Sequence, residues 1–321
     1  MIKNKKNKVV IVGAGAVGTT IAFNLCVQGL CDEIVLMDIN QDKAYTEALD
    51  IHHGVAYLKR NVKISAGAYE ECGDADIVII TAAVPYIEGQ RRLDMMDSAA
   101  KIIKSIVPPI MDSGFGGLFI VVTNPVDVMA YLVYKLSNLP RNQVIGTGTA
   151  LDSARLKGMI GEFIQIDPKS VQAYTIGEHG DSQCIPWSNI YAGGERFADI
   201  LADNKARFDE VDLEQFLDEV KEAAFKAGRI KKTTNFAIAM TVAEIVKIIF
   251  HDENTIIPVS TLLNGEFGEH EVFAGVPVVL NRQGVREIVK IRLTPDELAG
   301  FKKSITILKE YNIRLTETTE Y

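Results

Sequence analysis

KVVIVGAGAVG, residues 8–18, is the stretch on which the fold turns. Residues 8–12 read as a buried strand on the strength of the β-branched run at 9–12, since branching at Cβ favours an extended, packed backbone. All positions of that run are apolar, not alternate ones. That pattern implies burial on both faces, as in a parallel sheet covered by helices. Gly13, Gly15 and Gly18 follow in G-x-G-x-x-G spacing and open a helix over 15–28, with Gly29 placed to stop it. Each glycine has a separate task. The first makes the tight turn, the second lets backbone approach a pyrophosphate, and the third lets helix and strand pack closely. The helix N-terminus then presents free N–H donors and partial positive charge to phosphate.

A second strand over 33–38 (EIVLMD) ends in Asp38, 20 residues beyond Gly18. An acid there accepts hydrogen bonds from ribose hydroxyls and repels a 2′-phosphate, so NAD is the expected cofactor in preference to NADP. A methyltransferase sheet also places an acid after its second strand, but it usually lacks the third glycine. Apolar runs at 76–81, 117–123 and 143–146, with a helical pattern at 127–137, extend the alternation. The pattern predicts a Rossmann-type, doubly wound α/β sheet over residues 1–148. Residues 149–321 change style and read as a mixed α+β substrate-binding domain. Helices are expected at 150–163, 211–231 and 234–250. A last helix over 295–311 has Thr294 as its cap and Pro295 at its first position. Alternating runs at 256–263 and 272–280 read as strands, with turns at Asn264-Gly265 and at 281–284. No flexible tether marks the boundary near 148.

Composition narrows the class. The 321 residues are 47% apolar and 24% charged, enough to bury a large core without disulfides or metal. The net charge of -8 argues against nucleic acid or an acidic membrane as partner. No stretch of about 20 apolar residues runs uninterrupted, so no membrane span is expected. Cys26, Cys31, Cys72 and Cys184 include no Cys-x-x-Cys pair and read as reduced thiols of a cytoplasmic chain. The Lys- and Asn-rich start could open a signal peptide, but cleavage would remove the glycine turn. His52 and His53 are adjacent, which on a helix points them about 100° apart, and no metal-ligand spacing occurs. No metal is expected.

Four further motifs carry chemistry: Gly89-Gln90-Arg91-Arg92-Leu93-Asp94, Thr123-Asn124-Pro125-Val126-Asp127, Leu151-Asp152-Ser153-Ala154-Arg155 and Gly177-Glu178-His179-Gly180-Asp181. With the glycine turn, they make the chain resemble the lactate/malate dehydrogenase family over about residues 8–311. Oxidising a 2-hydroxy acid removes a hydroxyl proton and a hydride from one carbon, and histidine suits the proton transfer near neutrality. The resemblance implies that His179 is that base and that Asp152 holds and stabilises its imidazole. It makes Arg92 the cation facing the carbonyl oxygen and Arg155 the two-pronged donor to the substrate carboxylate. Asn124 would bond the reacting oxygen beside the nicotinamide. Asp152 and Arg155 stand three apart, which puts them on one helix face. The resemblance also places Val17, Lys43, Tyr69, Ala83, Val84, Val122, Thr123 and Thr147 along the dinucleotide. Read singly, His179 could be a surface-loop histidine, Asp152 a helix cap, and Arg91 and Arg92 an exposed basic pair.

In this family the residue six before the loop arginine reads the substrate side chain, Gln in lactate enzymes and Arg in malate enzymes. Here it is Tyr86, and Ala83 replaces the usual glycine. The absence of Arg argues against malate, whose second carboxylate would be left unpaired. Thr234 occupies the other side-chain-reading position and resembles lactate and branched-hydroxyacid enzymes. Lactate/pyruvate is therefore the first expectation. A bulkier apolar acid such as 2-hydroxyisocaproate, seated against Tyr86, is the alternative, with malate after it. A non-enzymatic NAD-binding paralogue is the reading from a different class. Lys157 and Gln172 stand where bisphosphate-activated relatives carry Arg and His, so activation by fructose 1,6-bisphosphate is not expected. Family members are dimers or tetramers, and a homo-oligomer is the expectation here.

Overall fold

The strand at Lys8–Val12 (β1) lies near the middle of the main sheet with all five residues buried. The fold is that of a computed structural model, which describes residues 6–83, 92–204, 208, 218, 231 and 233–317; the side chains of 92–95, 316 and 317 fall outside that description. β1 pairs in parallel with Glu33–Met37 (β2) on one side and Ile77–Ile80 (β4) on the other. Lys63–Ala66 (β3) adds beyond β2, while Leu118–Val121 (β5) and Val144–Gly146 (β6) extend the sheet beyond β4. The resulting order, β6-β5-β4-β1-β2-β3, is that of a doubly wound dinucleotide fold. Helices Ala16–Gln28 (α1), Gln41–His53 (α2), Arg92–Asp112 (α3) and Val126–Ser137 (α4) connect these strands. β1, β4 and β5 are buried at every position, as unbroken apolar runs require when helices cover both faces. Gly29 ends α1 in a left-handed conformation, with its own N–H and that of Leu30 returning to the last-turn carbonyls.

The second half does not build a separate main sheet. Thr255–Asn264 (β10), His270–Asn281 (β11) and Gly284–Ile288 (β12) are antiparallel to one another and join the parallel sheet where Ser260 pairs with Gly146. One nine-stranded sheet therefore crosses residue 148. The alternation expected at 272–280 is not the observed burial, since β11 is buried continuously from Val272 to Asn281. The reason is packing: α4 and the helices Phe236–His251 (α7) and Pro295–Glu317 (α8) all lie against it. Both expected turns form, with Gly265 and Gly284 at positive φ.

A smaller unit, Val171–Gln172 (β7), Tyr191–Ala192 (β8) and Glu195–Arg196 (β9), has its own apolar cluster beneath Ala150–Ile164 (α5) and Phe197–Asp203 (α6). α8 begins with a reciprocal capping box: Thr294 N–H donates to Glu297 and Glu297 N–H to the Thr294 hydroxyl, with Pro295 in the first turn. It runs further than the 295–311 expected. Of the helix expected at 211–231, only Asp218 and Lys231 fall within the described residues.

Phe119 of β5 is fully buried and meets Phe115 edge-on, ring centroids 4.8 Å apart. Phe119→Ala is expected to cost about 3–5 kcal/mol. Denaturant unfolding should show a lower midpoint with an unchanged slope.

Candidate active site

The carboxyl ends of the parallel strands form one rim, where open α/β sheets bind ligands. Gly13 follows β1, Asp38 follows β2, Tyr69 follows β3 and Ala83 follows β4. Val122, Thr123 and Asn124 follow β5, and Thr147 follows β6. The three glycines differ in their surroundings. Gly13 has φ +111, and a Cβ there would stand 2.7 Å from the Ala82 nitrogen. A Cβ on Gly18 would stand 1.9 Å from the Gly13 oxygen, so α1 packs on the turn only because nothing is there. A Cβ on Gly15 would meet nothing within 4 Å, which leaves a cradle for a pyrophosphate at the start of α1. Asp38 accepts the Ala14 N–H at 2.8 Å and the Asn40 N–H at 2.9 Å. It braces the turn and keeps lone pairs for ribose hydroxyls. These residues fit a dinucleotide without a 2′-phosphate. Val17 and Tyr69 are half-buried and Lys43 is exposed on α2. The Thr123 hydroxyl is already spent, donating to Ala82 O at 2.8 Å, so it ties β5 to β4.

The catalytic expectation rests on Asp152, which is buried in the first turn of α5 and is not its cap; Thr149 holds the cap position. One Asp152 oxygen lies 2.6 Å from His179 Nδ1, and the other accepts from Arg155 Nη1 at 2.8 Å. The i,i+3 spacing thus brings Arg155 and Asp152 together as the helix geometry implies. Burial by itself would raise the Asp152 pKa, but the His179 and Arg155 charges outweigh it and hold the carboxyl below its ordinary value. An ionised carboxylate can only accept, so His179 Nδ1 carries the hydrogen and Nε2 is the atom available for proton transfer. Desolvation pulls the imidazole pKa down, but the Asp152 carboxylate prevails and the pKa is raised. The imidazole remains 26% exposed.

The loop carrying His179 is held from three directions. Gly177 and Gly275 of β11 exchange backbone hydrogen bonds at 2.9 and 2.8 Å. Glu178 N–H donates to the buried Ser304 hydroxyl of α8 at 2.8 Å. His179 N–H donates to Asp127 Oδ2 at 2.8 Å, and Asp127 Oδ1 accepts the Ser260 hydroxyl at 2.5 Å. Asp127, Ser260 and Ser304 were not singled out from the sequence. Asp127 offered a signal, as the last residue of the Thr123–Asp127 motif and an acid in a helical first turn within an apolar stretch. Burial pushes its carboxyl up to about 6, against the hydrogen bonds from Ser260 and His179.

Asn124 is exposed at the rim, three residues before Asp127, and its peptide bond to Pro125 is cis. Thr234 lies in the segment leading into α7, which starts at Phe236, two residues later than expected; neighbouring Asn235 bonds Thr20 of α1 at 2.7 Å. Lys157 is drawn over the Tyr174 ring, and burial pushes its ammonium pKa down, while Gln172 is exposed on β7. His52 and His53 are in the last turn of α2, and no cluster of metal-ligating residues occurs among the described residues. Val84, Tyr86, Arg91 and the Arg92 side chain lie outside the described residues. No helix among the described residues is long and apolar enough to cross a membrane.

A doubly wound sheet with a dinucleotide cradle at its rim, beside a carboxylate-braced histidine and an arginine, defines a nicotinamide-dependent dehydrogenase. The chain belongs to the lactate/malate dehydrogenase family: residues 7–146 match that family's NAD binding domain and residues 149–318 its alpha/beta C-terminal domain. It is similar to L-lactate dehydrogenase 3 of Bacillus thuringiensis subsp. konkukian, 44% identical over 97% of this chain and 98% of the relative. It is 43% identical to L-lactate dehydrogenase 2 of Bacillus cereus over 96% of this chain and 98% of that one. Among solved structures, the minor L-lactate dehydrogenase of Enterococcus mundtii in its ligands-bound form superposes with a TM-score of 0.94. It shares 44% identity, with 97% of this chain and 99% of that chain covered. The chain is thus an NAD-dependent 2-hydroxyacid dehydrogenase by family.

The contrast between glycines is testable. Gly15→Ala should leave the melting temperature within about 2 °C yet weaken NADH binding about tenfold or more, read by quenching of protein fluorescence. Gly18→Ala should lower stability itself, by about 1–3 kcal/mol.

Proposed function

We propose that the chain interconverts an L-2-hydroxy acid and its 2-keto acid, with lactate and pyruvate the first pair, and that His179 moves the proton. The observation that carries this reading is the Asp152 carboxylate shared between His179 Nδ1 and Arg155. A carboxylate so placed fixes the imidazole tautomer and stabilises the imidazolium. NAD, when bound, supplies the hydride acceptor at its nicotinamide ring. His179 Nε2 takes the hydroxyl proton in oxidation and returns it to the oxygen in reduction. Arg155 keeps further guanidinium donors for the substrate carboxylate. Arg92 would meet the negative charge that develops on the carbonyl oxygen, and Asn124 would bond the same oxygen. Asp38, Val17, Lys43, Tyr69, Ala83, Val84, Val122, Thr123 and Thr147 would line the dinucleotide.

The names of the relatives favour lactate over malate, as does Tyr86 in place of an arginine. Tyr86 also keeps a bulkier apolar keto acid, such as 2-ketoisocaproate, as the second reading. A binding-only paralogue would be free to lose the Asp152–His179–Arg155 array, which is intact. Division at residue 148 into a cofactor half and a substrate half fits this assignment of roles. We further infer a homo-oligomer. α1 and α7 pack together, and they expose Phe23 and Val27, and Phe236 and Met240, respectively. Large apolar side chains on adjoining helices suit a second copy. Cys26, Cys31 and Cys72 are buried, their thiols pushed up by burial, which fits a reducing cytoplasm.

NADH oxidation with a panel of 2-keto acids tests the substrate; no consumption with any of them would leave only cofactor binding. With pyruvate, His179→Asn should lose at least about a thousandfold in kcat while NADH still binds; retained turnover would remove the base. Reduction needs protonated His179, so its rate should fall as pH rises through the raised imidazole pKa. Lactate oxidation should rise over the same interval. Tyr86→Gln should raise the pyruvate-to-ketoisocaproate ratio of kcat/KM several-fold, and an unchanged ratio would mean that position 86 does not read the side chain.

A further inference from the structure

We propose that Asp127 is the positioning residue of the proton-transfer site: the cofactor-binding half lends this carboxylate to the His179 peptide and places a second negative charge behind the imidazole. The inference rests on His179 as the proton-transfer group and deepens that reading.

Three observations converge. Asp127 is 2% exposed, and both of its oxygens are engaged across the boundary between halves: Oδ2 with the N–H of His179 itself, Oδ1 with the Ser260 hydroxyl of β10. A buried carboxylate with these two donors is far more than a first-turn acid needs, since surface acids at helix starts serve the dipole equally well. Asp127 also belongs to the segment that presents Asn124 at the rim of the cofactor cradle. One short stretch therefore sets both the nicotinamide side of the site and the peptide of its base. A shift in that peptide of about an ångström would be enough to slow turnover on the order of a hundredfold.

The charge acts alongside the geometry. His179 faces Asp152 and Asp127, which raise its pKa, and Arg155, which lowers it. Asp127 in turn faces His179, the Ser260 hydroxyl and the Glu178 carboxylate on the same loop. With its own carboxyl at about 6, Asp127 is mostly ionised at neutral pH and supports the imidazolium there.

Two variants separate position from charge. In Asp127→Asn the amide carbonyl can accept the His179 N–H, and its NH₂ can donate to the Ser260 oxygen. The hydrogen bonds survive and only the charge goes. Titration of His179 by proton NMR in the NADH-loaded enzyme should then move toward acid by about half a pH unit or more. Its resonance is assigned by its loss in His179→Asn. The alkaline limb of pyruvate reduction should move the same way, with NADH affinity within about twofold of the parent. Asp127→Ala removes position as well, and kcat should drop about a hundredfold while the KM for pyruvate changes far less. An Asp127→Asn enzyme with an unmoved titration and an unmoved limb would overturn the proposal and leave Asp127 as packing. That readout decides even if the alanine variant fails to fold. Persistent turnover in His179→Asn would instead overturn the base assignment, a separate outcome because the NMR titration does not depend on activity.

Discussion

A single buried carboxylate governs this site. Asp152 holds His179 Nδ1 on one oxygen and Arg155 Nη1 on the other. Removing a charge from water is costly, and a partner repays it only at close range with good geometry. Here the pairing is mutual: the His179 and Arg155 charges hold the acid below its ordinary pKa, and the acid in turn raises that of the imidazole. Burial strengthens the arrangement because the same charges in water would be screened.

Such an array needs a rigid frame, and the frame is the sheet. Six parallel strands end on one rim, which collects residues separated by more than a hundred positions in the chain. Joining β10 to β6 through Ser260 and Gly146 makes the second half an extension of that sheet, where a tethered lobe would have left it free to move. The His179 loop is then bound on one side to β11 through Gly177 and Gly275, on another to α8 through Ser304, and to α4 through Asp127. These contacts together fix where the His179 peptide sits in the frame.

Tight packing in the cofactor cradle follows the same logic of close approach. Gly18 is excluded from bearing a side chain by the Gly13 carbonyl, whereas Gly15 faces open space. Two chemically identical residues thus stand in opposite surroundings, one where helix and turn touch, the other beside open space.

Much of this was legible along the chain because it depends on local rules. The apolar run at 9–12, the spacing of Gly13, Gly15 and Gly18, the stop at Gly29 and the Thr294–Pro295 start follow from φ, hydrogen bonding and neighbouring side chains, so residue order determines them. The i,i+3 pairing of Asp152 with Arg155 is local as well. What residue order could not fix is everything that depends on long separation. The unbroken burial of β11 comes from three helices closing over it, and the single sheet through residue 148 from a pairing between residues 146 and 260. The grip of Asp127 on His179 spans 52 positions and that of Ser304 on Glu178 spans 126. Only tertiary structure decides such contacts, because their strength arises from burial that no local segment possesses before the chain has folded.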